Sequence, residues 1–147
     1  MKKIISICLL VVTTFTVKAQ DMSFEETVKY INEKIACCGY GSFSQFPKEA
    51  NLGGDIEWFD GGRNSINLFD LVSVTTDEDH LLNNNGISLV KGYWNGQPGL
   101  FRIEFQKTKE RSIVFHAFES QLDAERIYKA LLHLKSLCTK KKDPFDK

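Results

Sequence analysis

The sequence has no surplus of either charge, no apolar run of bilayer-spanning length and no short catalytic motif. Basic and acidic residues number 19 each among 147. Phosphate neutralisation supplies most nucleic-acid affinity, so a chain with no basic excess is a poor candidate for that partner. H-E-x-x-H, G-x-S-x-G and a Gly-Lys phosphate loop are all missing. His116 and His133 stand alone among apolar or helical neighbours, and neither has a ligand set at metal-binding spacing. No catalytic residue, metal ligand or cofactor is nominated. Internal repeats and low-complexity segments are also absent.

The amino-terminal stretch points to export. Met1-Lys2-Lys3 is a basic start, Ile4 to Phe15 is apolar with only small polar interruptions, and Ala19 ends Val17-Lys18-Ala19. That is the layout of a secretory signal peptide cleaved near Ala19. The competing reading is an uncleaved anchor, but the apolar run is shorter than the roughly 20 residues a spanning helix needs, and Lys18 closes it. Cys8 lies inside the apolar run, so lipidation is not expected. Cleavage takes three of the 19 basic residues and no acid, which leaves the mature chain mildly acidic. The expected organisation is a signal peptide over 1–19, one globular domain over 20–139 and a flexible basic tail over 140–147. The domain would be secreted or periplasmic, with no stable membrane anchor after cleavage. Lys140-Lys141-Lys142 is too short a basic cluster for a membrane-surface role alone.

The mature chain opens with helix signals. Ser23 and Glu26 have capping-box spacing, and Phe24, Val28, Ile31 and Ile35 recur on one face. Gly39 and Gly41 end the helix near Cys37. The middle reads as strands: Ile56-Glu57-Trp58, Ile66 to Val74, Ile87 to Val90, Phe101 to Phe105 and Ile113 to Phe118. Gly53-Gly54, Asp60-Gly61-Gly62, Asn85-Gly86 and Asn95-Gly96 supply turns, and Lys107 to Arg111 is a charged hairpin tip. Such short connections favour antiparallel pairing. Ser120 then caps a last helix whose stripe is Ala124, Ile127, Leu131, Leu134 and Leu137. The fold class is α+β: an N-terminal helix, an antiparallel sheet or partial barrel of about five to seven strands, and a long C-terminal amphipathic helix packed on it.

From Ile56 to Cys138 this order resembles the pleckstrin-homology-like superfold, in which a terminal helix closes one end of a bent sheet. The likeness is one of architecture. That family carries a Trp in the last helix, where this chain has only Tyr128 as an aromatic. Its lipid binders have a basic first hairpin loop, whereas Asp60-Gly61-Gly62-Arg63 sets one Arg beside an Asp. Lipid-headgroup binding is therefore not implied. The chain is also similar to small secreted proteins of Gram-negative bacteria that put a leading helix before such a core.

Candidate sites are few. In an oxidising compartment Cys37, Cys38 and Cys138 leave three readings: no bridge, a bridge from Cys37 or Cys38 to Cys138, and, least favoured, a vicinal Cys37–Cys38 bridge. A nucleophilic Cys would want a paired His, and none is locally placed. Asp77-Glu78-Asp79-His80 reads as a solvated loop, since it lacks the Gly and distal Glu of a calcium loop. Tyr93-Trp94, beside the Asn95-Gly96 turn, is either a packed anchor or an exposed contact for a ligand or partner. A pocket shared by Trp58, Tyr93 and Trp94 would favour a small ligand, and a flat apolar patch a protein partner. The expected function is a non-enzymatic binding module for an unknown protein or small ligand. The alternative is an accessory subunit of an envelope complex, and an enzyme ranks third.

Overall fold

The structure, a computed structural model, describes residues 22–41, 45–59, 62–73 and 79–140, with only the backbone for 45–49 and 59. The signal peptide and the tail beyond Lys140 lie outside these residues, as do Asp77 and Glu78. The elements run α1 (Phe24–Cys38), β1 (Gln45–Ala50), β2 (Asp55–Phe59), β3 (Arg63–Asn67), β4 (His80–Asn84), β5 (Ile87–Trp94), β6 (Gln97–Thr108), β7 (Arg111–Phe118) and α2 (Gln121–Leu137). The fold is α+β: among the described residues there are two helices and two antiparallel sheets, β1-β2-β3 and β4-β5-β6-β7.

The helix starts obey their caps. The Ser23 hydroxyl accepts from the Glu26 amide at 3.2 Å, and the Glu26 carboxylate accepts from the Ser23 amide at 2.8 Å. Ser120 likewise accepts from the Asp123 amide. Along α1, Ile31 and Ile35 are buried with Thr27, while Phe24 and Val28 pack at the margin. Along α2, Ala124, Ile127, Leu131 and Leu134 reach the core, joined by Tyr128 and Ala130. Leu137 stays half-buried, because the chain is leaving the core at that turn.

The hairpins follow turn chemistry. Asn85 and Asn95 have φ of 52° and 47° and are each followed by a Gly with φ of 79°. Consecutive positive values make the two-residue turns whose twist matches paired strands, so β4–β5 and β5–β6 are tight hairpins. Lys109 and Glu110 close the β6–β7 hairpin, where Thr108 pairs with Arg111. One expected strand is corrected. The strand expected from Ile66 stops early: β3 ends at Asn67, and the Asn67 side chain accepts from the Phe69 amide at 2.9 Å, turning the chain instead; Val74 lies outside the described residues. Leu68 is nevertheless fully buried, which explains the apolar run.

A single core joins both sheets and both helices. Trp58 of β2 meets Phe105 of β6 and Phe115 of β7 edge-on, with centroids 5.6 Å apart in each case. The crossover between the sheets passes over Gly86. A Cβ there would lie 2.5 Å from Leu71 Cβ, so both its positive φ and its lack of a side chain are required. Val72 then donates to the Gln106 carbonyl at 2.9 Å, stitching the crossover to β6. The helices run antiparallel. His133 of α2 contacts the Met22 carbonyl before α1 at 2.8 Å, while Gly39 after α1 pairs with Phe118 before α2.

Candidate functional site

The expected site residues do not come together. Trp58 is 4% exposed and belongs to the core, apart from the exposed Tyr93. Tyr93 stands 68% exposed near the end of the β5–β6 hairpin, and Trp94 beside it is half-buried. The hairpin end is held from below: the Arg102 guanidinium donates to the Tyr93 carbonyl and pairs with Glu104 at 3.0 Å. Glu104 in turn accepts from the Ser112 hydroxyl at 2.7 Å. Asp79 is exposed and His80 begins β4. His116 is buried at the α1–β7 junction, and burial lowers its pKa to about 4.

The cysteine expectation is corrected. Cys37 bonds to Cys38, and Cys138 is free. The reason is the antiparallel helix pairing. Cys37 and Cys38 end α1 and Cys138 ends α2, so the two sites lie at opposite ends of helices of 15 and 17 residues. At 1.5 Å per residue that separation is roughly 20 Å, far beyond the reach of a disulfide. Burial pushes the Cys138 thiol up, against a smaller lowering by the Gly54 amide. Its thiol donates weakly to the Asn51 carbonyl at 3.8 Å.

A concave feature lies elsewhere among the described residues. A cleft of about 540 Å³ opens at the seam of the two sheets, lined by Asn51, Asp55, Glu57, Ser65, Ile66, Asn67, Asp70, Leu71 and Lys107. Its rim is rigid for a local reason. The Asn51 side chain accepts from the Gly53 and Asp55 amides and donates to Asp55 Oδ2 at 3.0 Å. Asn67 donates to Asp55 Oδ1 at 2.7 Å and to the Gly53 carbonyl at 2.9 Å. The same turn is pinned to the end of α2, where the Thr139 amide donates to the Leu52 carbonyl at 2.8 Å. Glu57 is held by Arg63 Nε at 2.9 Å.

No family model, curated protein or solved structure matches this chain. The site therefore rests on its own geometry. The Asn51–Asp55–Asn67 network is spent on building the rim. Beyond that network the polar lining is Glu57, Ser65, Asp70 and Lys107, whose ammonium reaches the Ser65 carbonyl at 3.4 Å. Ile66 and Leu71 supply the apolar part of the lining. One cation, several carboxylates and a hydroxyl-bearing residue around apolar carbons can orient a small polar molecule. Among the described residues no group of three His, Cys, Asp or Glu could hold a metal ion.

Sequence reasoning missed this cleft. Asn51, Asp55 and Asn67 resemble ordinary turn residues one at a time, and Lys107 resembles a charged hairpin tip. The signal available was weak: Asn51 and Asp55 flank Gly53-Gly54, and Asn67 and Asp70 flank Leu68-Phe69.

Proposed function

We propose that this chain is a secreted or periplasmic, non-enzymatic binding module that takes a small polar ligand in the seam cleft. The observation that carries the reading is the cleft itself. Its volume of about 540 Å³ falls in the roughly 300–1,000 Å³ range of small-molecule sites. A rim held by its own hydrogen bonds is pre-organised, so binding there need not first order a loop. The non-enzymatic part rests on two of the three cleft carboxylates: Asp55 and Glu57 are committed to Asn51, Asn67 and Arg63. The PH-like reading of the architecture is supported by two antiparallel sheets of three and four strands followed by a helix packed on β5, β6 and β7.

The address rests on the n-region, the apolar stretch and Ala19 of the sequence. Among the described residues no helix is long and apolar enough to cross a membrane. Intact mass of exported material should place the new terminus at Gln20, and retention of Met1 in a membrane fraction would refute cleavage. The ligand reading is tested by a thermal-shift screen of small polar metabolites against the wild type, Asp70→Ala and Lys107→Ala. A true cleft ligand raises the wild-type Tm and loses most of that effect in both variants. Equal shifts in all three proteins would place binding outside the cleft.

A second reading, an accessory subunit of an envelope complex, is favoured by Tyr93. A large ring 68% exposed on a hairpin braced by Arg102 is a ready contact. Tyr93→Ala should then abolish cross-linking to a partner in intact envelopes without changing Tm.

A further inference from the structure

The end of α1 carries chemistry that the cleft does not use. Cys37 is exposed, Cys38 is half-buried, and the two are bonded to each other. The next residue, Gly39, ends the helix by donating to the Ile35 carbonyl at 3.0 Å and pairs with Phe118. The Tyr40 amide donates to the Ala117 carbonyl at 2.8 Å. Residues 37–40 are thus a strap that joins the helix end to β7, the outermost strand of its sheet.

The strap fits closely. A Cβ on Gly39 would overlap His116 Nε2 and come within 2.7 Å of the Ile35 carbonyl oxygen. Beneath it His116 is 8% exposed, edge-on to Phe118 at 5.1 Å, with Nε2 unpartnered among the described residues. The strap is what separates that imidazole from solvent on the α1 side.

We propose that Cys37–Cys38 is a reversible disulfide–dithiol site that sets how firmly the strap holds to β7, with a dithiol as its reductant. A thiolate of the reductant attacks the exposed sulfur of Cys37. The S–S bond breaks, and its electron pair passes to Cys38 Sγ, which takes up a proton. The second thiol of the reductant attacks the mixed disulfide and releases Cys37 as a thiolate, which is protonated in turn. Two electrons and two protons move to the protein, and the reductant leaves as its own disulfide. Exposed disulfides are the labile, regulatory kind. The physical lever is entropy. A bond between neighbouring residues closes a small ring that freezes both side chains and the peptide between them, immediately before the residue that docks. Opening it returns that freedom while the strap's hydrogen bonds stay the same in number, so the docked state is less populated. Cys138 takes no part, being at the other end of the helix pair.

The test uses the full mature domain, oxidised and after treatment with dithiothreitol. Alkylation before reduction should label Cys138 alone, and after reduction all three cysteines. Amide hydrogen exchange at Gly39 and Tyr40 should quicken by about tenfold or more on reduction, while that of Leu131 inside α2 is unchanged. Cys37→Ser/Cys38→Ser should show the fast exchange with or without dithiothreitol. Labelling of all three cysteines before reduction would overturn the proposal. So would equal Gly39 and Tyr40 exchange in the two redox states, or acceleration in the double variant only after adding dithiothreitol. Global loss of α2 protection on reduction would overturn it too, because the pair would then hold the whole fold and not the strap.

Discussion

Lowering the pH from neutral to about 4.5 should cost the wild-type fold stability that a His116→Leu variant does not lose. His116 sits where its neutral ring is favoured: burial lowers its pKa to about 4 from an ordinary 6.5. Its folded-state value lies below its unfolded one, so the unfolded chain takes up the proton first as acid is added. The contribution is complete above pH 6.5, shrinks as the pH falls toward 4, and levels off below that. The full gap is worth about 3 kcal/mol at 1.36 kcal/mol per pH unit, and about 2.5 kcal/mol is gone by pH 4.5. That is a large share of a small domain's margin of roughly 5–15 kcal/mol. The leucine should carry its own packing cost, but a constant one at both pH values. The assay is urea unfolding at pH 7 and at pH 4.5, followed by tryptophan fluorescence through Trp58 in the core. If the two proteins lose equal stability between these pH values, His116 is not buried in neutral form and the account of the α1–β7 junction is wrong.

Other expectations follow from burial and backbone geometry. Leu131→Asp places a charge at a fully buried position of α2 and should cost at least about 4 kcal/mol, or prevent folding, as read by circular dichroism and thermal unfolding. Trp58→Ala should lose about 3–5 kcal/mol, whereas Tyr93→Ala on the exposed hairpin should stay within about 0.5 kcal/mol of wild type, both by urea titration followed by circular dichroism. Gly86→Ala combines a φ of 79° with a clash against Leu71, so its midpoint should fall by more than the roughly 1 kcal/mol of a strained turn alone. Asn67→Ala removes the bonds to Asp55, Gly53 and Phe69 together. It should destabilise by about 1–3 kcal/mol and loosen the cleft rim, which exchange at the Phe69 amide would report.

Local signals carried far in this chain, because their causes are local. Ser23 with Glu26, Ser120 with Asp123, and both Asn-Gly turns need only their immediate neighbours to act, and each folds as its residues indicate. The helical stripes were legible for the same reason, since Ile31, Ile35, Ile127 and Leu131 recur at the spacing of one face. The failures share the opposite cause. Leu68 to Val72 is rich in apolar residues like a strand, yet it is a crossover in which Leu68 alone is fully buried, and apolar content alone does not separate the two. Trp58 could not be sorted from Trp94 by type, because an aromatic ring suits a core and a contact surface equally.

By itself the sequence determined where helices begin and end, where the chain reverses, and which residues are apolar enough to build a core. It also determined that no catalytic or metal motif is spelled out along the chain. Only the tertiary structure decided how the helices face each other, and with that which cysteines can meet. Antiparallel packing carries Cys138 to the far end from Cys37 and Cys38, a relation that no spacing along the chain encodes. The cleft is of the same kind. Asn51 and Asn67 meet through Asp55 within the first sheet, but Lys107 comes from β6 of the second and joins them only because the two sheets pack on a common core. Caps and turns act over three or four residues, whereas a site is made where distant segments are brought together by burial of a common core.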